Sequence, residues 1–365
     1  MAQAEARIEH VRGAAYTIPT DFPEADGTLS WNSTTLVLVE VCCASITGIG
    51  YTYGNAAAAG VAEGLGRKCL LEQSPFQLAG LHASLLREVR NDGSRGIGAL
   101  AISALDIALW DLKARLLNCS VSDLLGWAQP SVVVYGSGGF TSYSDEQLTR
   151  QFSDWAARGI TMVKMKVGSD AFDDPRRVRV ARQAVGEGID LFVDANGAYA
   201  TKQAIALAQR FAECGVSWFE EPVSSDDLPG LRKIRNALPP PMEVAAGEYG
   251  YDTLYFRRML EADAVDVLQL DATRCGGFTG FLEAAAVARS FGRPISAHCA
   301  PSLHMHAGCA TPGFRHVEYF HDHARIEQML FDGFVYPRDG RMEPDRSAPG
   351  LGLTFKRKDA QRFAA

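Results

Sequence analysis

From Gly126 onward one pattern repeats along the chain: a short apolar run followed by a helical stretch. The runs span 131–135, 161–167, 191–194, 217–220, 243–246, 265–271, 295–298 and 316–319, and patterns such as 204–212 and 280–288 read as helices between them. Parallel strands need long crossovers, and each interval here has room for one. Eight such units predict an α/β chain whose strands close into a parallel barrel. A doubly wound open sheet is the alternative, disfavoured because no Gly-x-Gly-x-x-Gly follows the early strands. The run Gly136-Ser-Gly-Gly139 reads as a tight turn after the first barrel strand, with a phosphate loop as the lesser reading.

Upstream the rhythm differs. Residues 1 to about 60 read as strands and turns, with 34–42 β-branched and apolar and Gly48-Ile-Gly50 as the turn that follows. From about Asn55 to Leu125 the pattern is helical: Ala104, Leu105, Ala108, Leu109 and Leu112 share a face, with Asp106, Asp111 and Lys113 off it. The expected division is an α+β unit over 1–125, the barrel over 126–330, and a Gly- and Pro-rich segment over 331–365 that returns to the first unit.

A net charge of −7 leaves no basic field for nucleic acid or a membrane surface. The most apolar stretch, 97–109, is too short and too charged to span a bilayer, and residues 1–7 lack the pattern of a signal peptide. Eight cysteines without a CxxC pair read as free thiols in a reducing cytosol, so a soluble cytoplasmic protein is expected.

A barrel presents its chemistry at the C-terminal ends of its strands. The second strand ends Val163-Lys-Met-Lys-Val167, so Lys164 and Lys166 share one face and the apolar residues the other. A lone Lys-x-Lys is usually a solvated sheet face, but both faces of a barrel strand are covered. The lysines are therefore expected in the barrel mouth. Strands three, four and five end in Asp194, Glu220 and Glu248, at intervals of 26 (220 − 194) and 28 (248 − 220) residues. One such acid is commonly a helix cap or a surface charge. Three in consecutive units repel unless a cation joins them, and an all-oxygen set suits Mg²⁺. Glu221 should point away from Glu220 and reads as a supporting or structural residue. Strand six ends at Asp271, strand seven at His298, and strand eight carries Glu318. A His beside an Asp on the next strand is a general base with an orienting partner. His304, His306, His321 and His323 lie near the rim without the fixed repeat and read as ordinary packed groups.

Taken together, Lys164-x-Lys166, Asp194/Glu220/Glu248, Asp271–His298 and Glu318 resemble the mandelate racemase group of the enolase superfamily. The resemblance covers nearly the whole chain, including the helix containing 103–112 and the segment Pro349-Gly-Leu-Gly-Leu353. It implies an N-terminal α+β capping domain over a (β/α)7β barrel. It also implies abstraction of the proton next to a carboxylate, with Mg²⁺ stabilising the enediolate. On this resemblance Lys164 donates to the substrate carboxylate and Glu318 donates as a protonated acid. Lys166, its pKa lowered by Lys164 and the metal, is the base on one face of the carbon, and His298 the base on the other.

Two outcomes follow from one intermediate: dehydration of an acid sugar to a 2-keto-3-deoxy acid, placed first, or racemisation or epimerisation of a 2-hydroxy acid. A muconate-cycloisomerase or dipeptide-epimerase type is disfavoured, because the enzymes of that type resemble this fold but carry Lys where Asp271 stands. A non-catalytic binding protein on the same barrel ranks below it. The capping loop 17–31 holds Asp21, Glu24 and Asp26 and no Arg, which favours a monoacid. Trp31, Tyr51, Tyr53 and Asn196 are candidate substrate contacts; for the tyrosines a packed aromatic is an equal reading. The expected partners are a small carboxylate substrate and further copies of the chain in a homo-oligomer.

Overall fold

The computed structural model describes residues 6–365, so most of the N-terminal stretch read above for a targeting signal lies outside the described residues. Eight strands form the expected barrel: β4 (Val132–Gly138), β5 (Met162–Lys166), β6 (Asp190–Asp194), β7 (Val216–Glu220), β8 (Glu243–Ala246), β9 (Val267–Leu270), β10 (Ile295–Ala297) and β11 (Phe314–Phe320). They pair in parallel and in sequence order, and β11 closes back onto β4. Helices wrap the outside for local reasons that the sequence carries. The helix Asp145–Ala157 begins at a capping box, Ser144 and Gln147 each bonding the other's backbone N–H. Leu148, Phe152 and Trp155, one face at helical spacing, are buried against the barrel.

The capping unit is a three-stranded antiparallel sheet, β1 (His10–Ala25), β2 (Ser30–Cys43) and β3 (Ile46–Tyr53), with helices α1 (Ala57–Cys69), α2 (Leu78–Glu88), α3 (Ile97–Leu116) and α4 (Val121–Leu125). The sequence reading needs three corrections here. Gly48 and Gly50 are not a turn but lie within β3, and the turn is at Ala44-Ser45. Helix α3 packs so closely that a Cβ at these two positions would meet Ala108 O at 2.4 Å and Ala104 O at 2.1 Å. The segment 17–31 is mostly strand, the far ends of β1 and β2, rather than a loop. Lastly, α3 has no polar side at Asp106 and Asp111, both of which are buried. Asp111 accepts from the N–H groups of Ile49 (2.7 Å) and Leu351 (2.6 Å) and pairs with Arg115. Asp106 binds Thr279 and His82.

Residues 136–138 end strand β4. The segment from Phe331 touches both units. Arg341–Met342 pairs with β4 at the barrel's base, while Gly350, Leu351 and Ala365 bond the capping unit. All eight cysteines are free. No helix among the described residues is long and apolar enough to cross a membrane.

Candidate active site

Strand register brings the rim residues together. Lys166 is the Cα partner of Asp194, and Asp194 of Glu220. Glu248 lies beyond the end of β8, reached through Gly247 at φ +135°, where a Cβ would meet Gln269 O at 2.3 Å. One oxygen from each of Asp194, Glu220 and Glu248 lies within 4.8 Å of the others, and all three residues are buried. Lys166 Nζ is 2.6 Å from Asp194, and Lys164 Nζ bonds Glu220 and lies 2.8 Å from Glu318. Trp218 Nε1 holds the second oxygen of Glu220 at 2.9 Å. On the opposite side His298 Nδ1 is 2.7 Å from Asp271 Oδ2. Thr273 donates its N–H and hydroxyl to the other oxygen of Asp271, each at 2.7 Å. An ionised carboxylate only accepts, so Nδ1 carries a proton, and in the neutral ring the lone pair is on Nε2. Glu318 accepts from Ser137 Oγ (2.6 Å) and the Cys299 N–H (2.9 Å).

Six carboxylates, Asp194, Glu220, Glu221, Glu248, Asp271 and Glu318, face three fixed cations, Lys164, Lys166 and Arg274. Burial and then Asp194 push Glu220 well above the ordinary carboxylate range, and burial and Glu248 do the same to Glu221. Glu248 Oε2 is buried without a hydrogen-bond partner. Excess negative charge, an orphaned oxygen and an all-oxygen donor set fit a hard divalent cation. Before a cation shares these carboxylates, two groups lean the other way from the states expected with the metal bound. Burial works to neutralise Glu318, but Lys164 outweighs it and holds the acid ionised, well below its usual range. Burial alone would lower Lys166, but the carboxylate of Asp194 raises it above the ordinary lysine value. In both cases a direct charged partner overrides desolvation.

The rim opens into a cleft of about 440 Å³ under the capping sheet. Lys166, Glu248, His298, Glu318, Trp31, Tyr53 and Asn196 line it; Tyr51 does not. Tyr51 is fully buried, donates to Glu327 at 2.8 Å and stacks on Phe331. Tyr53 stacks on His323, which also lines the cleft. His304 and His306 are buried with both ring nitrogens engaged, and His321 meets Asp21.

Sequence reasoning passed over two rim residues. Arg274 Nη1 is 3.4 Å from Glu248 Oε1, its Nε 3.5 Å from Asp271, and its guanidinium lies over Tyr249. Its signal was a basic residue three positions past a strand-end acid. Cys299 Sγ is 3.2 Å from His298 Nε2. Backbone strain marks this rim too: Asn196, Glu221, Cys299 and Ala300 all have positive φ, a conformation that costs roughly 1–3 kcal/mol each.

Residues 15–126 match the family described as mandelate racemase / muconate lactonizing enzyme, N-terminal domain, and residues 147–360 match the one described as enolase C-terminal domain-like. A mandelate racemase/muconate lactonizing enzyme-like protein from Rubrobacter xylanophilus superposes with a TM-score of 0.96 at 48% identity, over 98% of this chain and 100% of that one. The L-talarate/galactarate dehydratase of Salmonella typhimurium is 30% identical over 99% of this chain and 92% of its own length. A variant of that dehydratase, liganded with Mg and L-glucarate, superposes with a TM-score of 0.91 at 28% identity, covering 100% and 93% of the two chains. A racemase from Streptomyces coelicolor A3(2) with bound magnesium gives a TM-score of 0.91 at 30% identity, over 98% and 100%. The chain belongs to the mandelate racemase / muconate lactonizing enzyme family of the enolase superfamily.

Proposed function

We propose that this chain is a Mg²⁺-dependent lyase that removes the proton next to the carboxylate of an acid sugar and expels water to give a 2-keto-3-deoxy acid. The observation that carries the reading is two proton-handling groups, Lys166 Nζ and His298 Nε2, lining one cleft beside a three-carboxylate metal site. Asp194, Glu220 and Glu248 would hold Mg²⁺, which supplies a fixed positive charge against which a carboxylate can accept a second negative charge. Lys164 Nζ is placed to donate to the same carboxylate. His298, held by Asp271, keeps the Nε2 lone pair toward the cleft and can take a proton from carbon or give one to a departing hydroxyl. Strands β5 and β10 stand nearly across the barrel from each other, three steps apart in a ring of eight, so the two groups approach one carbon from different sides.

The substrate class rests on the cleft's roof. Ser33, Thr34, Thr35 and Asn55 line it, and Asn196 faces them from the barrel rim, with the hydroxyls and amides that sugar hydroxyls need as partners. Asp26 also lines it, while the two lining cations, Lys166 and Arg274, are both on the barrel rim. A second carboxylate at the far end would meet Asp26, which supports a monoacid. Trp31, Tyr53 and Asn196 are assigned to substrate contact. Racemisation or epimerisation of a 2-hydroxy acid is the second reading, favoured by the same pair of bases and by the magnesium-bound racemase relative.

The proposal includes the division into capping unit 1–125, barrel 126–330 and closing segment 331–365. It includes a cytoplasmic homo-oligomer: eight free thiols suit a reducing compartment, and Phe172, 90% exposed, is apolar surface for a second copy to cover.

The test is deuterium uptake at C2 for both epimers of each member of an acid-sugar library, with 2-keto-3-deoxy products scored alongside. His298→Asn should stop exchange from one epimer and Lys166→Ala from the other, each by about 10²–10⁴-fold, and Asp271→Asn should imitate His298→Asn. Equal loss for both epimers in folded, Mg²⁺-binding variants would refute the two-base assignment. Exchange without dehydration across the library would favour the racemase reading.

A further inference from the structure

Beside the magnesium carboxylates the rim carries a second cluster of a different chemical kind. His298 Nε2 and Cys299 Sγ are 3.2 Å apart, Cys299 Sγ and Glu318 Oε2 3.5 Å, and His298 Nε2 and Glu318 Oε2 4.0 Å. All three residues are buried and all three line the cleft. Tetrahedral zinc, with bonds of about 2.3 Å to sulfur and about 2.0–2.1 Å to nitrogen and oxygen, sets its ligand atoms about 3.3–3.6 Å apart. The sulfur–oxygen edge of the observed triangle matches, the nitrogen–sulfur edge is about 0.3 Å short, and the nitrogen–oxygen edge is about 0.6 Å long, a gap that a small rotation of either side chain closes. We propose that His298, Cys299 and Glu318 form a second metal site, selective for zinc and similar borderline ions, whose fourth position opens on the cleft.

The surrounding bonds already orient the three ligands. Asp271 holds His298 Nδ1, so Nε2 presents its lone pair, and a carboxylate behind a ligating histidine is the usual support of a zinc site. Ser137 and Lys164 hold Glu318 Oε1, and Oε2 accepts the Cys299 N–H at 2.9 Å while facing the sulfur. Cys299 follows the inward-facing His298 and would point outward in a regular strand. Its φ of +53° turns the thiol back to the imidazole. The two metal sites share no ligand but adjoin, with His298 Nε2 3.4 Å from Glu248 Oε2. Mixed nitrogen, sulfur and oxygen donors favour zinc, whereas the three-carboxylate set favours magnesium. On binding, Cys299 gives up its thiol proton to solvent, and one thiolate, one carboxylate and a neutral imidazole balance the dication. A ligated Nε2 has no lone pair for a substrate proton, so zinc inhibits transfer at that face. This consequence, unlike the binding itself, rests on the function proposed above.

The test uses the full chain in excess Mg²⁺, titrated with Zn²⁺ and, separately, with Co²⁺. Bound metals are counted by elemental analysis after gel filtration, and cobalt is read by absorption. The expected result is one zinc per chain with magnesium retained, and a thiolate-to-cobalt charge-transfer band in the near ultraviolet. Cys299→Ala should lose the band and weaken zinc at least about 10-fold while still binding magnesium; the low end for disturbed histidine metal sites is of this size. Cys299→Ser, a one-atom change, serves should the alanine variant fail to fold by circular dichroism. Zinc that displaces magnesium without a cobalt–sulfur band, or that binds the Cys299 variants as tightly as the parent, would overturn the site. A protein that exchanges no substrate proton under any condition would sink the proposed reaction and leave this binding result standing.

Discussion

The same eight strands build two chemically opposite ends of the barrel. At the base, inward side chains form an aromatic plug. Phe192 and Trp218 stack with centroids 5.3 Å apart, Tyr135 meets Phe192 at 5.5 Å, and His316 sits among all three. Burial pushes His316 down to about 3, so the plug carries no charge at neutral pH. Two residues further along, Phe192 gives way to Asp194, Trp218 to Glu220 and His316 to Glu318. A large aromatic removes about 150–250 Å² from water, or about 4–6 kcal/mol at roughly 25 cal/mol/Å². The rim instead crowds six acids with three cations. One end stabilises the barrel, and the other is unstable without a partner from solution.

Glu220→Gln breaks the comparison most severely. Activity should fall on the order of 10³-fold or more, because the metal site loses a ligand and its charge. The melting temperature at neutral pH in chelator should hold or rise, because burial and Asp194 already disfavour the ionised acid. A drop in melting temperature would mean the rim is structural after all.

At the plug, Phe192→Ala should show the reverse. It should cost about 3–5 kcal/mol in urea unfolding, with kcat of the folded protein within about 10-fold. A variant equally stable but inactive would erase the division of labour.

The smallest effect lies outside both ends. Glu24 on the capping sheet is buried beside Asp322, and its pKa is raised to about 8 by burial first and then by that neighbour. The folded state therefore holds a proton that the unfolded chain has lost above its ordinary value near 4.5. Stability from this group is complete below that value and falls as pH rises toward about 8. Glu24→Gln keeps an acceptor for Trp31 Nε1, a bond of 2.8 Å in the parent, and should flatten the melting profile across that window. An unchanged profile would place the titration elsewhere.

How much of this is legible in the sequence follows from periodicity. A side-chain period of two and an interval near one strand–helix unit convert Lys164, Lys166, Asp194, Glu220, Glu248, Asp271, His298 and Glu318 into neighbours on one rim. Legibility ends where the backbone leaves that period. Cys299 and Glu221 follow inward residues and should turn away, but φ values of +53° and +36° redirect them. Arg274 comes from the turn after β9, where parity says nothing about direction. Tyr51 and Tyr53 share a strand face, but only depth along β3 separates the core residue from the cleft residue. The charge states of Lys166 and Glu318 depend on partners 2.6 and 2.8 Å away, which no spacing rule supplies.

Helix α3 has a mechanical consequence. Asp111 ties β3 and the closing segment to it, Asp106 and Trp110 tie it to Thr279 on a barrel helix, and Ser103 holds the Gly276 N–H. Thr52 adds a bond from β3 to the Thr273 carbonyl, next to the residues that orient Asp271. With these buried and part-buried bonds across the seam between cap and barrel, swinging the cap as a rigid lid would break several of them together. The tip of the β1–β2 hairpin is fastened too: the Thr141 N–H and hydroxyl donate to the carbonyls of Ala25 and Asp26, and Ser142 donates to that of Pro23. Fingertip and wrist alike are welded to the barrel, so the cleft is a fixed mouth rather than a jaw.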